Sequence, residues 1–388
     1  MPAATAAALL LIGAGLLCQL NLGLAGMDTG WLRFYGKTAA LLAIGSGAIG
    51  LWRLFPPAAT QRRIEWLLAG AAGCALLLLA AQVLWGDETG VFDLQPVEPA
   101  KLVLTLLTAH CLALRMGWRA GDGEQPDHGA RWLRLIAPVL LFLALLGCAL
   151  VQVDDYSPLI LLLLWAGAMA FACAVAARRW RVAGMLVCVA LAGIAVIAAL
   201  RAGGPDNMPA SFYGDRFQVW LEPARHPHTG QQVQQGAAAI AAGGWLGADG
   251  LLGLAALGHA GGGVMALPAV QDDFAPSFLL HRHGLLAALL LWCAQAALVA
   301  GLVQAALRCG RAGAGARGFR QAWLLRLRGF ALCGGAAFVA GHLLLSWGTN
   351  LGILPVMGQP MSFLSAGGSH LLFFLLPLLG MLDALPQD

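Results

Sequence analysis

Residues 157–181 read Ser-Pro-Leu-Ile-Leu-Leu-Leu-Leu-Trp-Ala-Gly-Ala-Met-Ala-Phe-Ala-Cys-Ala-Val-Ala-Ala-Arg-Arg-Trp-Arg. No charge appears from Ser157 to Ala177, and then Arg178, Arg179 and Arg181 follow at once. An uncharged run of about 20 residues is what a helix needs to cross the roughly 30 Å hydrocarbon layer of a bilayer. Arginines at one end of such a run mark the side that stays in the cytoplasm. The pattern recurs along the chain. Ten such spans are expected, at residues 4–25, 37–55, 65–85, 99–117, 132–151, 157–177, 182–200, 284–307, 329–350 and 369–385.

Composition agrees. The 388 residues are 60% hydrophobic and 11% charged, against about 45–50% and about 25% in soluble domains. Soluble enzymes, coiled coils, disordered regulators and disulfide-rich modules are thereby excluded. Apolar blocks of this length do not suit the short alternating strands of an outer-membrane barrel. The expected fold is all-α, a polytopic membrane protein forming a single domain over residues 1–388. The nine cysteines lie in or beside apolar blocks without metal-site spacing, and read as small apolar fillers. The first block exceeds the apolar core of a signal peptide, so it reads as a retained helix.

Sixteen of the 21 arginines fall on alternate loops. They include Arg53, Arg62 and Arg63 after span two, Arg115, Arg119, Arg131 and Arg134 around the next such loop, and the cluster after span eight. The opposite loops carry acids: Asp87, Glu88, Asp93 and Glu98, then Asp154 and Asp155. The positive-inside rule puts the arginine loops and both termini in the cytoplasm. Residues 201–283 then form a long extracytoplasmic loop between spans seven and eight. Long loops among short ones are usually functional. There is no nucleotide-binding loop and no large cytoplasmic segment, so neither ATP-driven chemistry nor a nucleic-acid partner is expected.

Five stretches carry chemical information. In Gln95-Pro96-Val97-Glu98-Pro99-Ala100-Lys101, Glu98 and Lys101 share a helix face, as a functional pair or an interfacial salt bridge. Val153-Asp154-Asp155-Tyr156 is a short acidic turn. The long loop holds Arg216-Phe217-Gln218-Val219-Trp220-Leu221-Glu222-Pro223, then Gln231-Gln232-Val233-Gln234-Gln235, then a glycine-rich run over residues 243–250. Arginine and amides beside aromatics suit a sugar or phosphate ligand, with Gln232 and Gln235 on one face. His226 and His228, two apart, cannot share a helix face and lack a third metal ligand. Leu267-Pro268-Ala269-Val270-Gln271-Asp272-Asp273-Phe274 puts an acid pair before span eight, as a general base or as a helix cap. Finally, residues 351–369 place two prolines and several glycines in an apolar setting. Irregular backbone survives at membrane depth only where it lines a cavity or is buried in protein.

These stretches, in this order, resemble motifs of the SEDS family (the FtsW, RodA and SpoVE proteins), cell-wall glycosyltransferases. Residues 95–101 resemble its Q-P-S-E-x-x-K motif. Residues 216–235 are similar to its R-x-x-x-W-L-D-P…G-Y-Q-x-x-Q-S stretch, and 243–250 to its G-G-x-x-G-x-G. Residues 267–274 resemble L-P-E-x-H-T-D-F, and 352–369 the G-[LI]-L-P-V-T-G-x-P…S-Y-G-G-S signature. The resemblance implies polymerisation of lipid II on the outer face of the bacterial cytoplasmic membrane, in division or elongation, beside a class B penicillin-binding protein. It implies Asp273 as the catalytic base, with Lys101 and Arg216 neutralising pyrophosphate. Glu98, Gln232, Gln235 and Asp272 would be further substrate-binding residues. Mg²⁺ or Mn²⁺ suits pyrophosphate chemistry, although no metal cage is visible. Several family positions differ: Ala269, Gln271 and Asp272 before the base, His281 and Arg282 for paired glutamates, Glu222 for aspartate, and Ala366 for tyrosine. Those departures keep two alternatives open, a non-catalytic scaffold that binds lipid II or the penicillin-binding protein, and a transporter of a polyprenyl-linked precursor.

Overall fold

A computed structural model describes residues 2–25, 32–54, 60–87, 90–91, 94–117, 128–204, 214–227, 229–253 and 269–383. Of the residues named above, Glu88, Asp93, Arg119, His228, Leu267 and Pro268 lie outside this set, as do the side chains of Arg53, Arg131 and Arg134.

Among the described residues the protein is helical, with only two isolated β-bridges, at 87–90 and 91–94. Seven helices come first: α1 (Pro2–Ala25), α2 (Leu32–Leu54), α3 (Gln61–Trp85), α4 (Val97–Gly117), α5 (His128–Gln152), α6 (Ser157–Ala176) and α7 (Trp180–Gly203). Two shorter ones, α8 (Gly214–Leu221) and α9 (Thr229–Gly243), occupy the segment expected as a long loop. The long α10 (Ala275–Gly315) and α11 (Phe319–Asn350) follow. The chain closes with α12 (Gly368–His370), a π turn (Leu371–Leu375) and α13 (Leu376–Asp383).

Nine of these helices are long and apolar enough to cross a membrane. The tenth expected span is the shorter apolar stretch Gly368–Leu382. At about 1.5 Å per residue it falls short of the hydrocarbon thickness. Residues 351–367 run as irregular backbone before it. The expected start of span eight, residue 284, coincides with a break: Gly284 interrupts α10 at φ 82°, ψ 178°. Only glycine takes that conformation without strain. There the turn at 244–250 packs on the opened helix, with Ala248 N donating to His281 O (2.9 Å) and Leu285 N to Gly244 O (3.0 Å).

Helix α11 is the axis of the bundle, packed against α4, α6 and α10. It and α4 are largely buried, whereas α7 is almost wholly exposed and packs mainly on α6. Its outward leucines, valines and isoleucines form the apolar surface that hydrocarbon solvates. The glycines of α11 let helices close in: a Cβ on Gly334 would meet Thr105 and Trp165, and one on Gly335 would collide with Leu378. Small residues at such contacts are the usual means of helix packing in membranes.

Candidate active site

The irregular segment 351–367 needs partners for its backbone, because neither a regular ladder nor hydrocarbon supplies them. Buried side chains provide several. Thr349 Oγ1 donates to Pro355 O (2.9 Å), and Ser365 Oγ accepts from Met361 N (2.8 Å). Gln19 on α1 donates to Leu364 O (3.4 Å), and a Cβ on Gly15 would collide with the Phe363 carbonyl. Phe363 itself holds a φ of 72°, unusual for so bulky a residue. A segment fastened this densely acts as a fixed wall.

That wall clamps the acid pair. Turn 269–274 is closed by Asp272 N and Phe274 N donating to Ala269 O, with Ala269 at φ 50°. Ser365 Oγ donates to Asp272 O (2.6 Å), Ala366 N to Gln271 O (2.8 Å), and Asn350 Nδ2 to Asp273 O (2.8 Å). Asn350 Oδ1 in turn accepts from Ser277 Oγ (2.6 Å) and Ser277 N (3.1 Å), at the start of α10. Every one of these ties on the turn goes to its backbone, so the two carboxylates are left to a cavity of about 750 Å³.

The cavity opens at the acid-bearing ends of the helices. Asp87, Asp154 and Asp155 line it beside Asp272, Asp273 and Glu98. Two exposed cations face this acidic lining: Arg216 at the start of α8 and Lys37 on α2. Helix α8 is anchored where Trp220 Nε1 donates to Gly352 O (2.9 Å), tying Arg216 to the same irregular segment. Burial pushes the Asp273 carboxyl up to about 6, neighbouring Asp272 adds to the rise, and Arg216 opposes it. Burial also raises Asp272, opposed by a hydrogen bond from Gln271 and by the charge of Lys37. A carboxylate poised near neutrality can take a proton, and the two cations in the same lining can hold an anion.

The other site residues expected from the sequence are placed differently. Lys101 does not line the cavity; it is completely buried, with Nζ donating to Glu98 Oε1 (2.7 Å) and to His342 Nε2 (2.8 Å). It therefore cannot meet a pyrophosphate directly, because its ammonium is already held. Glu98 reaches the cavity wall but its second oxygen accepts from His370 Nδ1 (2.7 Å), so it too acts through structure. Gln232 and Gln235 do share one face of α9, half-buried, but neither is among the cavity-lining residues. Helix α9 packs against α10 instead, where a Cβ on Gly236 would press on Phe274. Glu222 pairs with Arg225 (2.8 Å), and Arg282 pairs with Asp249.

Lys37, His342 and His370 were not anticipated. Lys37 and Lys101 are the only lysines among 21 arginines, a rarity that points to them even without spacing. The histidines carry no such signal, lying 28 residues apart and far from residue 98 in the chain.

The chain as a whole is similar to known proteins. Residues 4–387 match the FtsW/RodA/SpoVE family, described as cell cycle proteins. The chain belongs to this family. One relative is the "probable peptidoglycan glycosyltransferase FtsW" of Pseudomonas fluorescens (strain SBW25), 26% identical over 342 residues, covering 85% of this chain and 73% of the relative. The protein with the same description from Thioalkalivibrio sp. (strain K90mix) is 28% identical over 395 residues, covering 96% and 86%. Two solved structures share the fold. A chain of a peptidoglycan synthase complex, solved to study the coordination of polymerization and crosslinking, aligns with TM-score 0.63 at 24% identity, covering 96% of this chain and 95% of that one. An aspartate-to-alanine mutant of the rod shape determining protein RodA from Thermus thermophilus gives 0.55 at 20% identity, covering 96% and 94%. Family membership and the nine long apolar helices make this a multi-pass protein of the bacterial inner membrane.

Proposed function

We propose that this FtsW/RodA/SpoVE-family protein is a peptidoglycan glycosyltransferase that polymerises lipid II on the outer face of the inner membrane. In this reading residues 1–388 form one catalytic membrane domain, with the arginine loops and both termini cytoplasmic. A class B penicillin-binding protein is its partner. The observation that carries the reading is a clamped aspartate, Asp273, whose carboxyl is raised towards neutrality at a cavity that also presents Arg216 and Lys37.

The chemistry follows from that placement. Asp273, deprotonated, takes the proton from the 4-hydroxyl of the acceptor sugar. The freed oxygen attacks C1 of the donor, a new glycosidic bond forms, and the bond from C1 to the pyrophosphate oxygen breaks with inversion. Undecaprenyl pyrophosphate leaves with the electron pair of that bond. Arg216 and Lys37 offset the negative charge that grows on it, a stabilisation that is strong in a site sheltered from water. Asp272 keeps the base's pKa high through like-charge repulsion.

The test is polymerisation of purified lipid II by the protein with its cognate penicillin-binding protein, wild type against Asp273→Ala. Product from wild type and at least about a 100-fold loss in the variant is expected. Equal product from both would remove Asp273 as the base. No product from either, with partner binding intact, would leave a scaffold.

A further inference from the structure

Four buried ionisable side chains from distant parts of the chain meet against the inner wall of the cavity. They are Glu98 and Lys101 on α4, His342 on α11 and His370 on α12. With both imidazoles neutral and Lys101 charged, their hydrogen bonds run in one consistent direction. The Pro360 carbonyl only accepts, so His342 donates to it through Nδ1 (3.1 Å). His342 Nε2 must then accept, and the Lys101 ammonium donates to it (2.8 Å). Lys101 also donates to Glu98 Oε1 (2.7 Å). Glu98 Oε2 accepts from His370 Nδ1 (2.7 Å), which leaves His370 Nε2 to accept from Ser362 Oγ (2.9 Å).

With both imidazoles neutral, every ring nitrogen is used and one carboxylate balances one ammonium. Both ends of this chain of bonds fall on the irregular segment, at Pro360 and Ser362. The same segment, through Ser365 and Ala366, holds the backbone of the Asp272–Asp273 turn. The histidines and the wall thus link the ion pair to the backbone of the aspartate turn, while Glu98 also reaches the cavity itself.

The three groups Glu98, His342 and His370 also have metal-ligand character. Their ligand atoms lie within 4.8 Å of one another, and each imidazole is backed by an outer partner, as metal-bound histidines are. The charge balance decides against an ion. Beside a buried ammonium, a divalent cation would set three positive charges against one carboxylate out of reach of water, an uncompensated burial of charge. Lys101 is the cation this cage holds.

We propose that His342 and His370 are positioning residues, which couple the sealed Glu98–Lys101 pair to the cavity wall and so fix the aspartate turn in its reactive place. The proposal rests on the glycosyltransferase reading for its effect on turnover, and on geometry alone for its effect on the wall. The experiment uses the full-length protein in lipid nanodiscs, with hydrogen–deuterium exchange of residues 357–367 and 269–274 beside kcat and KM for lipid II. His342→Leu and His370→Leu each speed exchange in both stretches by about tenfold, the value of one lost buried hydrogen bond. They lower kcat by a similar factor and leave KM within about twofold, since the binding cations are untouched.

The conservative variants separate coupling from bulk packing. His342→Asn keeps a donor where Nδ1 stood, facing Pro360, but loses the acceptor for Lys101; His342→Gln keeps that acceptor but loses the donor. Each cuts one of the two links, so neither restores slow exchange and wild-type turnover. If the leucine variants fail to fold, the Asn and Gln variants still decide. Unchanged exchange in the leucine variants, or full recovery in either His342→Asn or His342→Gln, would overturn the proposal. So would one equivalent of zinc in the purified wild type that is lost in the His342 variants. A wild type that makes no glycan refutes the glycosyltransferase reading instead, while the exchange data still judge the coupling.

Discussion

The aspartate turn and the cluster around Lys101 touch the same cavity wall and keep their charges in opposite ways. At 269–274 the neighbours hold the backbone, through Asn350, Ser365 and the Ala366 amide, and leave both carboxylates open to the cavity. Around Lys101 the neighbours hold the charged atoms themselves, so nothing is left over for a ligand. Burial raises the pKa of the two turn acids at the cavity, Asp273 the more, and keeps Asp273 reactive; a charge fully paired serves as an anchor. The difference lies in which atoms the surrounding hydrogen bonds engage, and residue type alone does not reveal it.

Removing the open charge breaks the comparison most sharply. Asp273→Ala costs at least about 100-fold in polymerisation rate while the melting temperature holds or rises. The reverse is expected at Lys101. Lys101→Met strands Glu98 in the interior and destabilises the protein by roughly 3–5 kcal/mol, read as a fall in melting temperature in nanodiscs. The double variant Glu98→Gln, Lys101→Met recovers part of that loss, because no unpaired charge remains; a strictly additive double variant would refute the sealed pair.

The cations on the cavity rim come next. Lys37→Ala and Arg216→Ala each lower kcat/KM by about tenfold with little change in melting temperature, a split that Lys101→Met does not show. A smaller effect should appear in pH dependence. The Asp273 carboxyl, raised to about 6, must be ionised to act, so turnover climbs through that value and levels off above it. Its raised pKa means that the folded state binds the proton more tightly than the unfolded one. The associated stability is complete below the ordinary carboxylate range and is lost as pH rises through about 6. Asp273→Asn therefore melts higher than wild type at pH 8, by on the order of 1 kcal/mol, and the gap closes in acid. A gap that widens in acid would contradict the raised pKa.

Much of this site was legible beforehand, and the parts that were not share a cause. Asp272 and Asp273 stood out as adjacent acids before a span, and both line the cavity. Arg216 was equally visible beside its aromatics and amides, whereas Asp154 and Asp155 read only as a short acidic turn, although they line the cavity. Spacing puts Lys101 and Glu98 on one helix face and leaves a salt bridge open, which the structure shows; a pyrophosphate contact is implied only by the family resemblance. Spacing gives the face of a helix and is silent about what packs against it; His342, 241 residues further on, is what occupies Lys101. Gln232 and Gln235 likewise share a face, but neither is among the cavity-lining residues. The tenth span, expected at 369–385, matches the apolar stretch Gly368–Leu382, and what hydropathy does not show is its π turn. In 351–367 the backbone finds its partners in side chains from α1 and α11.

Hydropathy and arginine placement are local properties of the chain, and a bilayer answers to them directly. They were enough for the all-helical class, the number of apolar blocks and the alternation of basic and acidic ends. Depth and partnership are not local. Whether a charged atom ends up open or sealed depends on helices joined only by the fold, as when residues 98, 101, 342 and 370 close on one another. Hence the bundle, and not the motif, makes Asp273 available and Lys101 unavailable.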